Sequence, residues 1–478
     1  YLVKLYIAMR FKIFRLSFII TLFSLITPSV KAQYTKLWDF AGGSIDGKIP
    51  RGSLASDGTY LYGVTTTGGA NNYGIIFKIM PDGTNYTKLY DFDGINSGQA
   101  PSFEKLLIDG NYLYGMTEGG GLNGKGVIYK IQKNGTGFIK LLDFNGTLNG
   151  SAPVGALTSD GTYLYGTTNQ GGVNNLGSLF KIKFDGTSYL KLMDFNGSGT
   201  GQYPYSTLLS DGQYLYGTSG YGATHSGIIF KILTDGTGYV NIYDAPITST
   251  VGIGCSFLGG LIQNGAYLYG LGADASGWGA VYKIKPDGSG AVKLLQFTGP
   301  PDGGQPYGDL ICDGTYLYGV TKNGGTLNKG IVFKVKLDGT GYVKMLDFLC
   351  FTNCSNPFGS LILDGATLYG MTYDGGVNSF GTIFKFQNSL TTDVQETKSG
   401  LQRLINVFPN PSNGLFTIKS IPAGTYYLTN TLGQSIKTIQ LDATNNFTIT
   451  IDDLPQGIYT LVGKENNQMV SQKIIVIK

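Results

Sequence analysis

From Pro101 to Phe144 the apolar positions fall into four short runs separated by turn signals. Phe103 to Ile108 is an apolar run ending at Asp109-Gly110, the signal of a tight hairpin. Tyr112 to Thr117 predicts a second strand, Glu118 to Gly126 a glycine-rich connection, and Val127 to Ile131 a third strand. Asn134-Gly135 marks another turn before Phe138 to Phe144, a fourth strand ending Leu-Leu-Asp-Phe. The apolar spacing of a helix is absent. The pattern then recurs. Gly63, Gly115, Gly166, Gly217, Gly270, Gly319 and Gly370 each close a Leu-Tyr-Gly triplet, at steps of 52, 51, 51, 53, 49 and 51 residues. A four-stranded antiparallel unit of about fifty residues is the blade of a β-propeller.

The ends of the array predict a closed ring. Tyr34 to Phe40 reads as a fourth strand with no first three. The last copy supplies Gly359 to Leu363, Thr367 to Thr372 and Thr382 to Phe386, then runs into Gln387-Asn388-Ser389 without a fourth strand. The N-terminal strand is therefore expected to complete the last of seven blades and remove the exposed edges. Asp-Gly pairs such as Asp57-Gly58, Asp160-Gly161, Asp82-Gly83 and Asp185-Gly186 close the first-to-second and third-to-fourth connections, which alternation places on one rim. The longer loops gather on the opposite face, where a ligand site is expected.

Composition refines this picture. Among 478 residues are 74 glycines and 33 tyrosines, and only 14% are charged, as suits sheets covered on both faces. A net charge of +4 without a basic patch argues against nucleic acid. Met9-Arg10-Phe11-Lys12, Arg15 and the apolar Phe18 to Ile26 predict a signal peptide over residues 1–32, cut between Ala32 and Gln33, with residues 1–8 upstream of the true start. The apolar stretch is too short to span a bilayer, and no other segment is apolar enough. Cys350 and Cys354 share one loop and are candidates for a disulfide in an oxidising compartment. Cys255 and Cys312 lie eight positions apart in repeat register, about 26 Å of extended chain against a limit of about 7 Å, and are expected to be packing thiols.

Recurrence sorts the candidate chemistry, because a ring seldom needs seven identical sites. The Asp-Gly pairs are turns rather than calcium ligands. Third-strand lysines such as Lys78 and Lys130, and fourth-strand aspartates such as Asp91 and Asp143, are expected to form cross-strand or inter-blade pairs. Departures from the repeat are more informative. His225, the single histidine, lies beside Tyr221 in a loop where other copies carry Gly-Gly, and it has no second ligand or triad partner. Trp278 breaks the matching loop of the fifth copy, where it would stack on a sugar or peptide or pack on the next blade. Glu118 lies on the loop-rich face, and one acid without an identified partner is weak ground for glycoside chemistry. Neither metal nor cofactor is expected.

After the polar stretch Leu390 to Gly400 the repeat ends. Asn406-Val407-Phe408-Pro409-Asn410-Pro411-Ser412-Asn413-Gly414 opens a block of short strands, read as a small Ig-like β-sandwich. This opening, Leu454-Pro455-Gln456-Gly457-Ile458-Tyr459, and the run Gln472-Lys473 to Lys478 closely resemble the type A sorting domain of the type IX secretion system of Bacteroidetes. The resemblance implies a sorting motif at Pro409, Asn410, Pro411, Gly414, Gly457, Tyr459, Lys473 and Lys478. It also implies handling by the type IX machinery, then removal of the domain and release or anchoring at the surface. Leu61 to Gly69 and Gly74 to Lys78 resemble the GloVer tandem repeat, a family without an established activity. The expected organisation is a signal peptide (1–32), an all-β seven-bladed propeller (33–389), a linker (390–401) and the sorting domain (402–478). A non-catalytic glycan- or protein-binding module at the cell surface is the leading expectation. A polysaccharide-active hydrolase or lyase using the central channel is the alternative.

Overall fold

The computed structural model describes residues 34–101, 105–220, 227–245, 253, 256–257, 259–273, 276–349, 355–387, 405–408, 412, 414–420, 424–430, 435–465 and 468–476. Ala32, Gln33, Tyr221, His225, Cys350, Cys354, Pro409, Asn410, Pro411 and Lys478 lie outside the described residues. The chain divides into two compact units at Thr391/Thr392. The first contains seven four-stranded antiparallel sheets among its described residues, one per Leu-Tyr-Gly copy. The second sheet is representative, running Leu107–Asp109, Tyr112–Thr117, Val127–Gln132 and Ile139–Asp143 in spatial order. In the seventh, the N-terminal strand Tyr34–Asp39 lies beside Thr382–Gln387, with Tyr34 opposite Phe386 and Asp39 opposite Thr382.

Side-chain packing explains the recurrent motifs. A Cβ on Gly63 or Gly217 would come within 2.5 Å of the ring tip of Phe77 or Phe230, so the third-strand aromatic crosses the second strand where only glycine leaves room. The preceding tyrosine is tied down as well: Tyr62, Tyr165, Tyr216 and Tyr318 donate their hydroxyls to Asp57, Asp160, Asp211 and Asp313 of the first hairpin turn. Third-strand lysines staple neighbouring sheets. Lys130, Lys181 and Lys231 donate to the carbonyls of Phe184, Thr234 and Pro286, and each covers a tyrosine ring at about 5 Å.

The fourth-strand aspartates find a different partner from the third-strand lysines. Asp91, Asp143, Asp194 and Asp347 pair with Lys88, Lys140, Lys191 and Lys344, three residues earlier in the same strand. In a regular strand such residues would point to opposite faces. A one-residue bulge in every fourth strand, as between the Ile128–Leu142 and Tyr129–Lys140 pairs, restores them to one side. The free edge of the carboxylate then receives the Gly-Gly loop: the amides of Ala70 and Leu122 donate to Asp91 and Asp143 at 2.8 and 2.7 Å. Where the fifth copy loses Gly-Gly it also loses the aspartate. Gln296 replaces it, bonded to Lys293, Gly279 and Phe297.

One expectation needs correction. Within the apolar run ending at Ile108, Lys105 and Leu106 do not belong to the strand, which begins only at Leu107, and Phe103 lies outside the described residues. Upstream of that point the first strands leave their own sheet and bond to the neighbouring one, as described below.

The second unit builds two sheets over one core. Ile405–Phe408, Phe416–Ser420 and Thr448–Ile451 form the first, and Ser435–Leu441, Gly424–Thr429, Gly457–Glu465 and Gln468–Val476 the second. Phe416 and Ile418 of one sheet and Tyr426, Leu461 and Ile474 of the other are buried together. Tyr459 donates its hydroxyl to the Pro455 carbonyl at 2.9 Å while Leu454 enters the core, which accounts for the Leu-Pro-Gln-Gly-Ile-Tyr run.

Candidate functional site

The segments that open the seven sheets line two chambers that share Lys105, Thr207 and Asp309 in their walls. Their backbones crowd together eleven residues before the Leu-Tyr-Gly glycine. A Cβ on Gly155, Gly259 or Gly308 would come within 2.5–2.8 Å of the backbone of the next sheet, and at Gly359 it would strike the Gly52 carbonyl. One residue further on stands a tier of non-repeating side chains, Ser53, Lys105, Ala156, Thr207, Gly260, Asp309 and Ser360. Four of these seal the sheets to each other. The amides of Ala156, Gly260, Asp309 and Ser360 donate to Thr207 Oγ1 (3.3 Å), Asp309 Oδ1 (2.5 Å), Ser360 Oγ (2.7 Å) and Ser53 Oγ (2.7 Å). The last bond joins the seventh sheet to the first.

Lys105, Thr207 and Asp309 border both chambers and form the waist between them. The larger chamber, about 800 Å³, lies toward the tight-turn rim and is lined mainly by apolar residues. The outer chamber, about 310 Å³, opens toward the long loops and is lined by Arg51, Tyr205, Tyr307 and Phe358. Its mouth carries a continuous run of cations and rings. Tyr307 and Phe358 stack at 4.6 Å, Lys322 Nζ lies 5.4 and 5.1 Å from their centroids, and Phe358 meets Tyr373 at 6.1 Å. Arg51 closes the run, its guanidinium 5.1 Å from the Tyr373 ring and bonded to its hydroxyl at 3.4 Å. Asp309 keeps part of its surface open to the cavity, yet lies deep enough that desolvation raises its carboxyl above the usual range. The Gly260 amide and the Lys105 charge pull the other way.

Of the candidates singled out in the sequence, Tyr221 and His225 fall outside the described residues, and Trp278 and Glu118 lie away from these chambers. Trp278 sits at the seam of sheets five and six, its indole filling the space where Gly299 and Gly304 would carry side chains, with its carbonyl accepting from Gln305 at 2.8 Å. Glu118 is half-buried at the loop end of sheet two, its amide donating to Ala100 at 3.2 Å. Neither belongs to the cavity lining among the described residues. Glu118 does occupy the repeat position of Lys322 and Tyr373, so the right tier was sampled at one copy only. Aligning all seven first strands on their glycines would have exposed the others. Cys312 is a packing thiol, accepting from Asn264 Nδ2 and the Gly314 amide. Gly414 is buried and its amide donates to Ser412 Oγ at 3.3 Å, whereas Lys473 lies in the final strand of the second unit.

The chain is similar to several solved structures at low identity. The extracellular domain of a one-component system from B. thetaiotaomicron has a TM-score of 0.47 and 12% identity, covering 94% of this chain and 58% of its own. TolB from Acinetobacter baumannii has 0.38 and 14%, covering 62% and 64%. An oligogalacturonate lyase in complex with manganese has 0.49 and 12%, covering 75% and 94%. The chain thus spans less than two thirds of the length of the first two, and TM-scores below 0.5 carry no inference about activity. No curated protein matches the sequence. Two family profiles do. The Gloeobacter/Verrucomicrobia repeat matches residues 96–274 and 259–435, and the secretion-system C-terminal sorting domain matches residues 406–478. The chain therefore belongs to the Gloeobacter/Verrucomicrobia repeat family and carries a sorting domain that exports it through the type IX secretion system to the cell surface or the medium.

Proposed function

We infer that this protein is a non-catalytic glycan-binding module, a closed seven-bladed β-propeller followed by an Ig-like sorting domain, with its site in the outer chamber. The observation that carries this is a contrast between tiers. Turn aspartates, second-strand glycines and third-strand lysines repeat, whereas the side chains at the chamber mouth differ from copy to copy. Scaffold positions repeat because each blade faces the same packing problem, and a ligand presents a different atom to each blade. Aromatic faces with polar groups among them suit sugar rings, and about 310 Å³ is at the small end of ligand sites, fitting a short saccharide or a chain end.

A hydrolase is less well supported. Glycoside hydrolysis ordinarily needs two carboxylates across the scissile bond, and Asp309 is the one carboxylate lining either chamber among the described residues. The test is a glycan panel offered to the purified full-length protein, with binding and product release read in parallel. Binding without new reducing ends or unsaturated products is expected. Turnover abolished by Asp309→Asn or Glu118→Gln would replace this function with an enzymatic one.

A further inference from the structure

The fourth-strand lysines set a standard for how this molecule treats charge, since Lys88, Lys140, Lys191 and Lys344 each have an aspartate within 3 Å. Lys105 and Lys322 depart from it. Among the described residues no carboxylate lies within ion-pair distance of either, although Lys105 stands at the waist and Lys322 at the mouth. Both break the repeat at their positions. The copies matching Lys105 carry Ser, Ala, Thr, Gly, Asp and Ser, and those matching Lys322 carry Thr, Glu, Asn, Gly, Ala and Tyr. Arg51 brings a third cation to the same chamber. Against these stand Asp309 in the lining and Glu118 at the rim tier of sheet two.

We propose that the outer chamber binds an anionic saccharide, its carboxylate or sulfate held between Arg51, Lys105 and Lys322 while a sugar ring lies against Tyr205 or the Tyr307–Phe358–Tyr373 run. The proposal rests on the glycan-binding function above and narrows its ligand class. A cavity concentrates the field of charges on its wall, and a charge-assisted hydrogen bond made away from bulk water is stronger than a neutral one. The aromatic run holds the cations in place, with Lys322 pinned over two rings and Arg51 over one. Preorganised cations lose less freedom when an anion arrives. Asp309 has the opposite sign at the same waist, and its negative charge works against an anion. It is retained as the acceptor for the Gly260 amide, which joins sheet five to sheet six.

The experiment is calorimetric titration of the full-length protein with oligogalacturonates, chondroitin sulfate oligosaccharides and neutral xylo-oligosaccharides of matched length. The expected result is binding of one or both acidic series and not of the neutral one, with affinity falling as salt rises. Lys105→Gln and Lys322→Gln should each weaken it about tenfold, the scale of one hydrogen bond to a charged group. Asp309→Asn, which keeps the acceptor and removes the charge, should strengthen it severalfold. A purely structural role at the waist would not give opposite signs to Lys105 and Asp309. Neutral sugars binding as tightly as acidic ones, or salt-insensitive binding by the unaltered protein, would overturn the inference while leaving a glycan site standing. If no saccharide of any class binds, the glycan-binding function itself fails.

Discussion

At Gly217 a single added carbon would lie 2.5 Å from Phe230 Cζ and 2.9 Å from Leu208 Cδ2, both fully or almost fully buried. Neither neighbour has room to retreat, so Gly217→Ala should destabilise the protein by about 1–3 kcal/mol, the cost of overpacking a tight core. Phe230→Leu in the same chain should recover part of that loss in thermal melts. An alanine variant melting with the parent protein would show that the ring does not set the glycine. Its recurrence is plain in the sequence, but the cause is not, since Phe230 belongs to another strand and the obstacle exists only once the two are paired. Asp309 is the opposite case. Nothing adjacent to it in the chain announces that its carboxyl is desolvated, since the groups that bond it and face it, the Gly260 amide and Lys105, belong to other sheets.

Among the elements, the N-terminal strand has the most to do, because sheet seven is complete only with it. Pairing with Thr382–Gln387 fixes one edge of Tyr34–Asp39. The other side is fixed by Asp46, buried and accepting from the amides of Ala41 and Gly47, from Trp38 Nε1 at 3.3 Å and from the Tyr86 hydroxyl. Trp38 stacks on Tyr86 at 4.0 Å and 10°, which ties the strand of sheet seven to sheet one. Asp46→Ala leaves all four donors without this acceptor and should cost about 3 kcal/mol, since unsatisfied buried groups lose full solvation. Limited proteolysis near residue 40 should accelerate in that variant, and an unchanged cleavage rate would remove Asp46 from the closure. The unpaired fourth strand was legible from strand counting alone. Asp46 was not, because it sits in a loop outside the repeat and gains its role from residues 40 positions away.

For the whole molecule, repetition multiplies small effects. Burial alone would raise the Asp57 carboxyl, but bonds from the Tyr60 amide, Lys133, the Thr59 amide and the Tyr62 hydroxyl outweigh it and hold the group at about 2. Asp160, Asp211 and Asp313 are lowered through the same turn geometry, as are Asp82, Asp185, Asp235, Asp287 and Asp338 in the third-to-fourth turns. Groups depressed in the folded state contribute stability that is complete above the unfolded value of 3.8 and is lost as pH falls toward about 2. Asp309 and Asp244, both raised by desolvation, act in the reverse sense and oppose folding as pH rises past 3.8. Asp93 and Asp442 are lowered as well, and eleven lowered carboxyls against two raised ones among the described residues predict a melting temperature that drops steeply between about pH 4 and pH 2. A flat profile across that window would show that the turn bonds form equally in the unfolded chain. Above it, Asp309→Asn should melt at or above the parent temperature, since it removes a desolvated charge and keeps the acceptor.

The Leu-Tyr-Gly period by itself determined the sheets, their strand order and the face that carries the long loops, because those follow from turn chemistry and alternation within some fifty residues. The motifs of residues 406–478 likewise carried the export route in plain sequence. The site is of another kind. Arg51, Lys105, Tyr205, Asp309 and Phe358 are separated by up to six repeats and share no local pattern. Only the packing of the sheets against one another sets them side by side around the two chambers, where one copy differs from the next.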